Sequence, residues 1–181
     1  AGGCDKNCHR RRFKTKLIAM GMCGYDRVLI EPSGIFDMDE FFDALHEEPL
    51  DRWYQIGNVI AVVDAGLDEK MSEEADYILA SEVADAGCIV LSKTQEASEK
   101  SIEFTVKHLN RALEAVHCKR KFGEDEIIRK DWEQFETEDF ERILNSGYIA
   151  EDYEKMNLDE KEVFKSLYFM DLEISGEELR D

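Results

Sequence analysis

The sequence predicts an α/β fold built on a parallel sheet with crossover helices. Three short apolar runs lie at Val28–Ile30, at Asn58–Val63 and at Cys88–Leu91. Each run suits a fully buried strand, and segments with helical periodicity separate the runs. Strands that alternate with helices in this way are typical of parallel sheets, because a parallel connection needs a crossover of about a dozen residues or more.

The helices are predicted from apolar residues that recur every three or four positions. The first predicted helix spans His9–Met22 and precedes the first strand. The second and third span Asp37–Leu45 and Glu73–Ala84. A long fourth helix is marked by one apolar face, which consists of Ile102, Val106, Leu109, Leu113 and Val116.

The last third of the sequence differs from the rest. Acidic residues become more frequent after Gly123, and the aromatic residues among them predict short helices, the last with Thr137 as a candidate cap. Phe164–Ile174 has the composition of a strand, and Ser175–Glu178 has the spacing of a capping box. We expect both ends of the sequence to be cut, because a helix would begin just before the last residue and no strand precedes Ala1.

Composition limits the possible functions. The chain has 181 residues, of which 43% are hydrophobic and 36% charged, and this suits one globular domain. A net charge of −19 argues against nucleic acid or an anionic membrane as partner, and no apolar run reaches the roughly 18 residues of a membrane span. Residues 1–30 carry a net charge of +5. This basic segment could face an anion such as phosphate, or it could simply be the solvated face of a helix. Five cysteines, an odd number, favour a reducing compartment and predict a cytoplasmic protein.

Glu31 is the first candidate site residue. It ends the first predicted strand and is followed by Pro32, Ser33 and Gly34. Ligands of open α/β sheets gather at the carboxyl ends of strands, where an acid can help to hold Mg²⁺ and a glycine lets the backbone approach a phosphate. The alternative interpretation is an acidic residue that caps the next helix.

Three candidate metal ligands lie within six residues, namely Cys4, Cys8 and His9. Thiolate and imidazole groups suit Zn²⁺ or a similar divalent ion, and three protein ligands leave one coordination position open. The alternative is two ordinary thiols and a surface histidine. Cys88 is expected to be a core thiol, and Cys118, which follows His117, is a weaker second candidate.

The order of several short motifs resembles the CobW-type metallochaperone GTPases, relatives of UreG and HypB. That family has a phosphate loop, a G-C-x-C-C motif, an E-x-x-G loop, a V-D-A strand end, an A-D helix end and an N-K-x-D base loop. The corresponding residues here are Gly3-Cys4, Glu31–Gly34, Val63–Ala65, Ala84-Asp85 and Leu91–Gln95.

The resemblance implies a P-loop NTPase-like fold over residues 1–145, with the N-terminal strand and phosphate loop missing from the sequence. It implies a linker over residues 146–162 and the beginning of a small α+β C-terminal domain over residues 163–181. Among the site residues, it implies that Glu31 helps to order Mg²⁺ through water and that Gly34 contacts the γ-phosphate, with Ser33 in the same loop. Ser92, Lys93 and Gln95 would bind the base, with the stem of Lys93 along the base plane. The alternative for these three residues is a polar loop after a strand.

The sequence departs from the family pattern at three places. No G-x-x-x-x-G-K-[ST] loop is present, and we expect it to lie upstream. The cysteine motif has Cys8 and His9 where the family has C-x-C-C, and the base loop has Ser92 for Asn and Gln95 for Asp. A glutamine amide offers one acceptor and one donor group, whereas guanine needs two acceptor contacts, so guanine and adenine both stay open. For Asp64 a structural role as a cap is favoured over tuning of a switch.

The function predicted from the resemblance is a GTP-binding and GTP-hydrolysing metal chaperone. It would couple GTP/GDP and Mg²⁺ to Zn²⁺ or another divalent transition metal such as cobalt or nickel. Its partner would be a client metalloprotein or a cofactor-assembly enzyme, and the protein could form a homodimer. One alternative is a non-catalytic metal- or protein-binding module on a degenerate GTPase scaffold, and another is a P-loop enzyme that acts on ATP. The acidic tail is either a solvated surface or a docking face for a basic client.

Overall fold

The computed structural model describes residues 6–32 and 38–156, and the side chains of residues 6–9, 39 and 40 lie outside this description. The helices are α1 (Lys6–Met22), α2 (Met38–Leu45), α3 (Leu50–Trp53), α4 (Glu73–Ala84), α5 (Glu99–Ala115) and α6 (Thr137–Leu144). The strands are β1 (Ile60–Asp64), β2 (Cys88–Ser92) and β3 (Ile127–Ile128). Two 3₁₀ turns cover Glu124–Glu126 and Trp132–Gln134.

The three strands form a parallel sheet in the order β1-β2-β3. In this sheet Ile60 lies opposite Cys88 and Asp64 lies opposite Ser92, so β1 and β2 end side by side. Helices α4 and α5 connect the strands, which confirms the predicted α/β class with crossover helices. The three predicted elements Asn58–Val63, Glu73–Ala84 and Cys88–Leu91 correspond to β1, α4 and β2.

The main core lies between this sheet and helices α4 and α5. Ile89 and Leu91 of β2 and Leu109 and Leu113 of α5 are almost fully buried. Each such side chain contributes about 1.5–3 kcal/mol through removal of apolar surface from water. The predicted core thiol Cys88 is confirmed, because its side chain is buried at the start of β2.

Local capping and one buried polar contact fix the two crossover helices. Ser72 and Ser98 cap α4 and α5, and each hydroxyl accepts a hydrogen bond from the backbone N–H three residues on, at 3.2 Å. The buried His108 of α5 lies with Nε2 2.5 Å from Oδ1 of Asp76 on α4. Nδ1 of His108 accepts a hydrogen bond from the guanidinium of Arg111, because a guanidinium group has donors and no acceptor. Nε2 therefore carries the hydrogen and donates it to Asp76, and this hydrogen bond joins α5 to α4.

A second, smaller core joins α1, α2 and α3. It is built around Leu17, Phe42, Leu45 and Leu50. The hydroxyl of Tyr54 donates to the carbonyl oxygen of Leu17 at 2.7 Å. These contacts bind the apolar face of α1 to α2 and α3. Helix α1 confirms the first predicted helix.

The predicted strand Val28–Ile30 is wrong, because this segment is irregular and Leu29 is 88% exposed. A strand needs a hydrogen-bonding neighbour. Among the described residues the edge of β1 that faces away from β2 has no pairing strand, and Val62 there is 69% exposed. Both apolar segments therefore present side chains to solvent.

Residues 145–154, which we call the strap, cross the amino ends of the strands. The backbone N–H of Val59 donates to the carbonyl oxygen of Gly147 at 2.9 Å, and that of Ile149 donates to the carbonyl oxygen of Asp85 at 3.1 Å. A Cβ on Gly87 would lie 2.3 Å from the carbonyl oxygen of Gly147, so only glycine permits this approach. The strap falls largely within the segment predicted as a linker, and the domain boundaries stay a prediction.

Three further predictions concern the C-terminal third. Thr137 is the first residue of α6 and not its cap, since Glu136 precedes it and donates its N–H to Oδ2 of Asp139 at 2.8 Å. The strand at Phe164–Ile174 and the capping box at Ser175–Glu178 lie outside the described residues. Within the part that is described, no helix has both the length and the apolar character required to cross a membrane.

Candidate functional site

The carboxyl ends of β1 and β2 carry the polar residues that the structure brings together. β2 ends at Ser92, whose hydroxyl donates to the carbonyl oxygen of Val63 on β1 at 3.3 Å. A turn follows in which the N–H of Glu96 donates to the carbonyl oxygen of Lys93 at 3.0 Å. Gln95 lies exposed within this turn. Ser92, Lys93 and Gln95 thus occupy one short loop at the edge of the sheet.

Lys93 has an unusual backbone conformation, with φ of 57°. This left-handed region costs a residue with a Cβ about 1–2 kcal/mol. Such residues cluster at ligand-binding and switch sites, where the surrounding structure holds them in place. The conformation therefore marks the Lys93 turn as a candidate site independently of its sequence.

Lys93 pairs with Asp64 across the two strand ends. Its Nζ lies 2.6 Å from Oδ2 of Asp64, and Oδ1 of Asp64 accepts the backbone N–H of Gly66 at 2.8 Å. The hydrogen bond from Lys93, followed by that from Gly66, lowers the pKa of Asp64, and the bond to Asp64 raises the pKa of Lys93. Because both side chains are partly exposed, the pair contributes little to stability.

Hydroxyl groups support the loop after β1. The carbonyl oxygen of Ala65 accepts from Oγ1 of Thr105 at 2.9 Å and from Oγ of Ser101 at 3.3 Å. The buried Oγ1 of Thr94, in contrast, has no hydrogen-bond partner among the described residues. A buried hydroxyl without a partner costs free energy. A polar ligand bound at the Lys93 turn would supply the hydrogen bond that the Thr94 hydroxyl lacks.

A family model matches about two thirds of the sequence. Residues 2–123 match the CobW/HypB/UreG nucleotide-binding domain. The chain belongs to this family. Neither the comparison with curated proteins nor that with solved structures gives a match. The matched residues include β1, β2, α4, α5 and the Lys93 turn, and they end before β3 and α6.

The structure describes only the first part of the segment Glu31–Gly34, whose sequence resembles the E-x-x-G loop of the CobW/HypB/UreG family. Glu31 lies in an exposed irregular segment and has no hydrogen bond or ion pair to any described residue. Ser33 and Gly34 lie outside the described residues. The structure therefore joins Ser92 and Lys93 to Asp64, and it does not bring Glu31 into contact with them.

The predicted metal ligands likewise lie at the margin of the description. Cys8 and His9 belong to the backbone of α1, and their side chains lie outside the described residues, as does all of Cys4. Elsewhere in the described chain no cluster of three or more Cys, His, Asp or Glu residues is arranged to hold a metal ion. At the second candidate, Nδ1 of His117 lies 2.8 Å from Oε2 of Glu154, and burial raises the pKa of the Cys118 thiol.

The sequence predicted only part of what Asp64 does in the fold. The predicted cap is confirmed, because Oδ1 of Asp64 accepts the N–H of Gly66, but the ion pair with Lys93 was not predicted. The signal was available, because Asp64 follows a buried strand in the same way as Glu31. Register explains the omission, since only the alignment of Asp64 with Ser92 places the carboxylate beside the Lys93 turn.

A cavity of about 270 Å³ lies at the opposite edge of the sheet. Gly87, Cys88, Glu126 and Arg142 are among its lining residues. Since the strands begin at this edge, the cavity is distinct from the Lys93 turn.

Proposed function

We propose that this protein is a GTP-dependent metal chaperone whose nucleotide state controls the delivery of a divalent transition metal. The proposal rests first on membership of the CobW/HypB/UreG nucleotide-binding family. The observation that carries it here is the strained Lys93 turn, in which the ammonium group contacts Asp64 and the neighbouring Thr94 hydroxyl has no hydrogen-bond partner among the described residues.

The nucleobase would bind at residues Ser92–Gln95. The alkyl stem of Lys93 would lie along the base, and the Thr94 hydroxyl would gain a polar partner. Asp64 keeps the Lys93 ammonium at the end of the sheet, so the stem needs little reordering when a nucleotide enters. Because Gln95 replaces the usual aspartate, we expect a weaker preference for guanine over adenine than the family pattern provides.

Mg²⁺ and the phosphates would be bound by the Glu31–Gly34 loop. Glu31 is exposed, and its carboxylate forms no hydrogen bond or ion pair with another described residue. Glu31 would help to order Mg²⁺. Ser33 and Gly34 would change position according to whether the γ-phosphate is present. A change in this loop on hydrolysis would then be the switch.

The cargo would be Zn²⁺ or another divalent metal of similar preference, held by Cys4, Cys8 and His9. Two thiolates and one imidazole match the ligand chemistry of such ions and leave one position for exchange. The metal would pass to a client metalloprotein or a cofactor-assembly enzyme. A homodimer and a cytoplasmic location belong to the same proposal.

A titration of the full-length protein with fluorescent GDP tests the base site. Lys93→Ala is expected to weaken GDP binding about tenfold, because a stacked cationic side chain contributes about 1–2 kcal/mol. The matched control is Lys121→Ala, an exposed lysine in the loop after α5, which should leave the affinity unchanged. Equal affinity of the two variants would place the base elsewhere.

The same titration with ADP distinguishes the two alternative functions, a non-catalytic binding module and an ATP-dependent enzyme. Saturable binding of neither nucleotide would favour a non-catalytic module that has kept only the scaffold. Tighter binding of ADP than of GDP would favour an ATP-dependent enzyme, the possibility that Gln95 raises.

A further inference from the structure

The segment Asp131–Leu144 presents apolar side chains that the described structure leaves uncovered. Trp132 is 69% exposed, Phe140 is 54% exposed and Leu144 is 55% exposed. No side chain of helix α6 is fully buried. Phe140 and Leu144 lie one turn apart on the same helix face, and the ring of Phe140 contacts that of Phe135 with centroids 5.7 Å apart. A contiguous apolar stripe on a well-formed helix is typical of a partner-binding surface.

Acidic residues are frequent in the same segment. Residues 131–144 contain six acidic residues and one arginine. Asp131 and Asp139 act within the segment, since they accept the backbone N–H groups of Glu133 and Glu136. Glu133, Glu138 and Glu141 are exposed, and no described cation pairs with them. These three carboxylates are therefore free to meet charges on a partner.

The segment is held firmly enough to serve as a platform. Lys130 binds Asp139 at 2.7 Å, and the guanidinium of Arg142 donates to the backbone carbonyl of Asp125. The side chain of Asn58 donates to the carbonyl oxygen of Leu144 at 2.7 Å. These contacts hold both ends of α6, so a partner would find the stripe already ordered.

We propose that this acidic–aromatic surface (Trp132, Phe135, Phe140 and Leu144 with Glu133, Glu138 and Glu141) docks a basic amphipathic helix of a partner protein. The apolar face of one helix can pack on the apolar face of another, and lysine or arginine on the partner would meet exposed carboxylates of the same segment. The net charge of −19 would also steer a basic partner toward the chain.

The surface lies beyond residues 2–123, the part that matches the nucleotide-binding family, and the proposal does not depend on nucleotide binding. The negative charge of this surface determines which kind of partner it can bind. An anionic membrane would be repelled by the same carboxylates that attract a basic helix. A second copy of the chain is the competing occupant, since the exposed Arg11, Arg12 and Lys16 make α1 a basic helix.

The test uses a fluorescein-labelled synthetic peptide of about 18 residues, with leucine at helical spacing and lysine elsewhere, and fluorescence anisotropy at low salt. We expect saturable binding with a Kd below about 100 μM, and at least fivefold weaker binding of a scrambled peptide with the same composition. No saturable binding, or equal binding of the scrambled peptide, would overturn the proposal.

Two variants and their controls locate the site. Phe140→Ala with Leu144→Ala should weaken peptide binding about tenfold, whereas Leu29→Ala with Val62→Ala, which removes even more exposed apolar groups elsewhere on the protein, should not. Glu133→Gln, Glu138→Gln and Glu141→Gln together should weaken binding at low salt, and their effect should shrink in high salt. The matched triple variant changes the exposed Glu69, Glu73 and Glu114 to Gln and should bind normally.

Sedimentation velocity without peptide examines the competing occupant. We expect the same sedimentation for the protein and for its Phe140→Ala, Leu144→Ala variant. A dimer that these substitutions abolish would show that a second copy covers the surface, and it would overturn the proposal. Circular dichroism of each variant confirms that differences in binding do not come from unfolding.

Discussion

Asp64 shows how much one residue at a strand end can organise. It caps the turn after β1 through Gly66 and holds the ammonium group of Lys93 on the neighbouring strand end. Its pKa is lowered mainly by the hydrogen bond from Lys93. A carboxyl group with a lowered pKa in the folded state stabilises the protein above its unfolded pKa, and this contribution disappears as the pH falls through the folded pKa.

Replacement of Asp64 by Asn tests this contribution. We expect Asp64→Asn to lower the free energy of unfolding by less than about 1 kcal/mol at pH 7, because the pair is partly exposed. The difference from the parent protein should shrink between pH 7 and pH 3, as the pH falls toward the lowered pKa of the parent carboxyl group. Urea unfolding at both pH values measures it, and Asp68→Asn, at an exposed residue of the same loop, is the control. An undiminished difference at pH 3 would show that charge is not the cause.

Gly87 tests the contact between the sheet and the strap. We expect Gly87→Ala to lower the free energy of unfolding by about 2–3 kcal/mol, because the added Cβ meets the carbonyl oxygens of Gly147 and Ser146. Gly57→Ala is the control, since a Cβ there meets nothing within 4 Å. Urea unfolding of both variants gives the comparison. Equal stability of the two variants would mean that the strap is not bound to the sheet in solution.

At the scale of elements, Glu82 adds a pH dependence to helix α4. Burial raises its pKa to about 7, from a usual value of 4.5. Below pH 4.5 the residue is protonated in both the folded and unfolded states and has no effect on stability. Between about pH 4.5 and 7 the unfolded chain loses this proton and the folded chain keeps it, so stability falls as the pH rises. Above pH 7 the penalty is constant.

Glu82→Gln should therefore stabilise the protein at pH 8 by about 2–3 kcal/mol, because a neutral amide avoids the cost of ionising a buried carboxyl group. The gain should shrink to nearly zero at pH 4.5. Thermal or urea unfolding across this pH range measures it, with the exposed Glu69→Gln as control. A gain that is the same at pH 4.5 and pH 8 would point to packing and not to ionisation.

The elements also show what the sequence could predict. β1, β2, α4 and α5 were predictable, because each strand is a short apolar run and each helix has apolar residues at helical spacing. The prediction of full burial is correct only for β2, since Ile60 and Val62 of β1 are exposed. Val28–Ile30 has an equally apolar sequence, but a strand requires pairing, which local sequence does not encode. β3 has only two residues, Ile127–Ile128, and is too short for a periodic pattern. The motif order located Ser92–Gln95, whereas the Asp64–Lys93 pair depends on strand register and escaped prediction.

At the scale of the whole molecule, the chain combines a nucleotide-binding family domain with surfaces that differ in charge. The proposed base site is at the carboxyl edge of the sheet, and the acidic–aromatic surface belongs to the later segment that the family match does not include. The basic α1 carries Cys8 and His9, two of the three proposed metal ligands. Nucleotide, metal and partner would thus each use a separate part of the chain.

The central claim is that metal and nucleotide binding are coupled, and calorimetric titration of the full-length protein with GDP, with and without Zn²⁺, tests it most directly. We expect Zn²⁺ to change the Kd for GDP at least about fivefold, the lower end of ordinary coupling between sites, and Cys8→Ser to abolish the change. By linkage, GDP must alter the affinity for Zn²⁺ by the same factor. A Kd for GDP that is unaffected by Zn²⁺ would contradict the proposal that nucleotide state controls metal delivery.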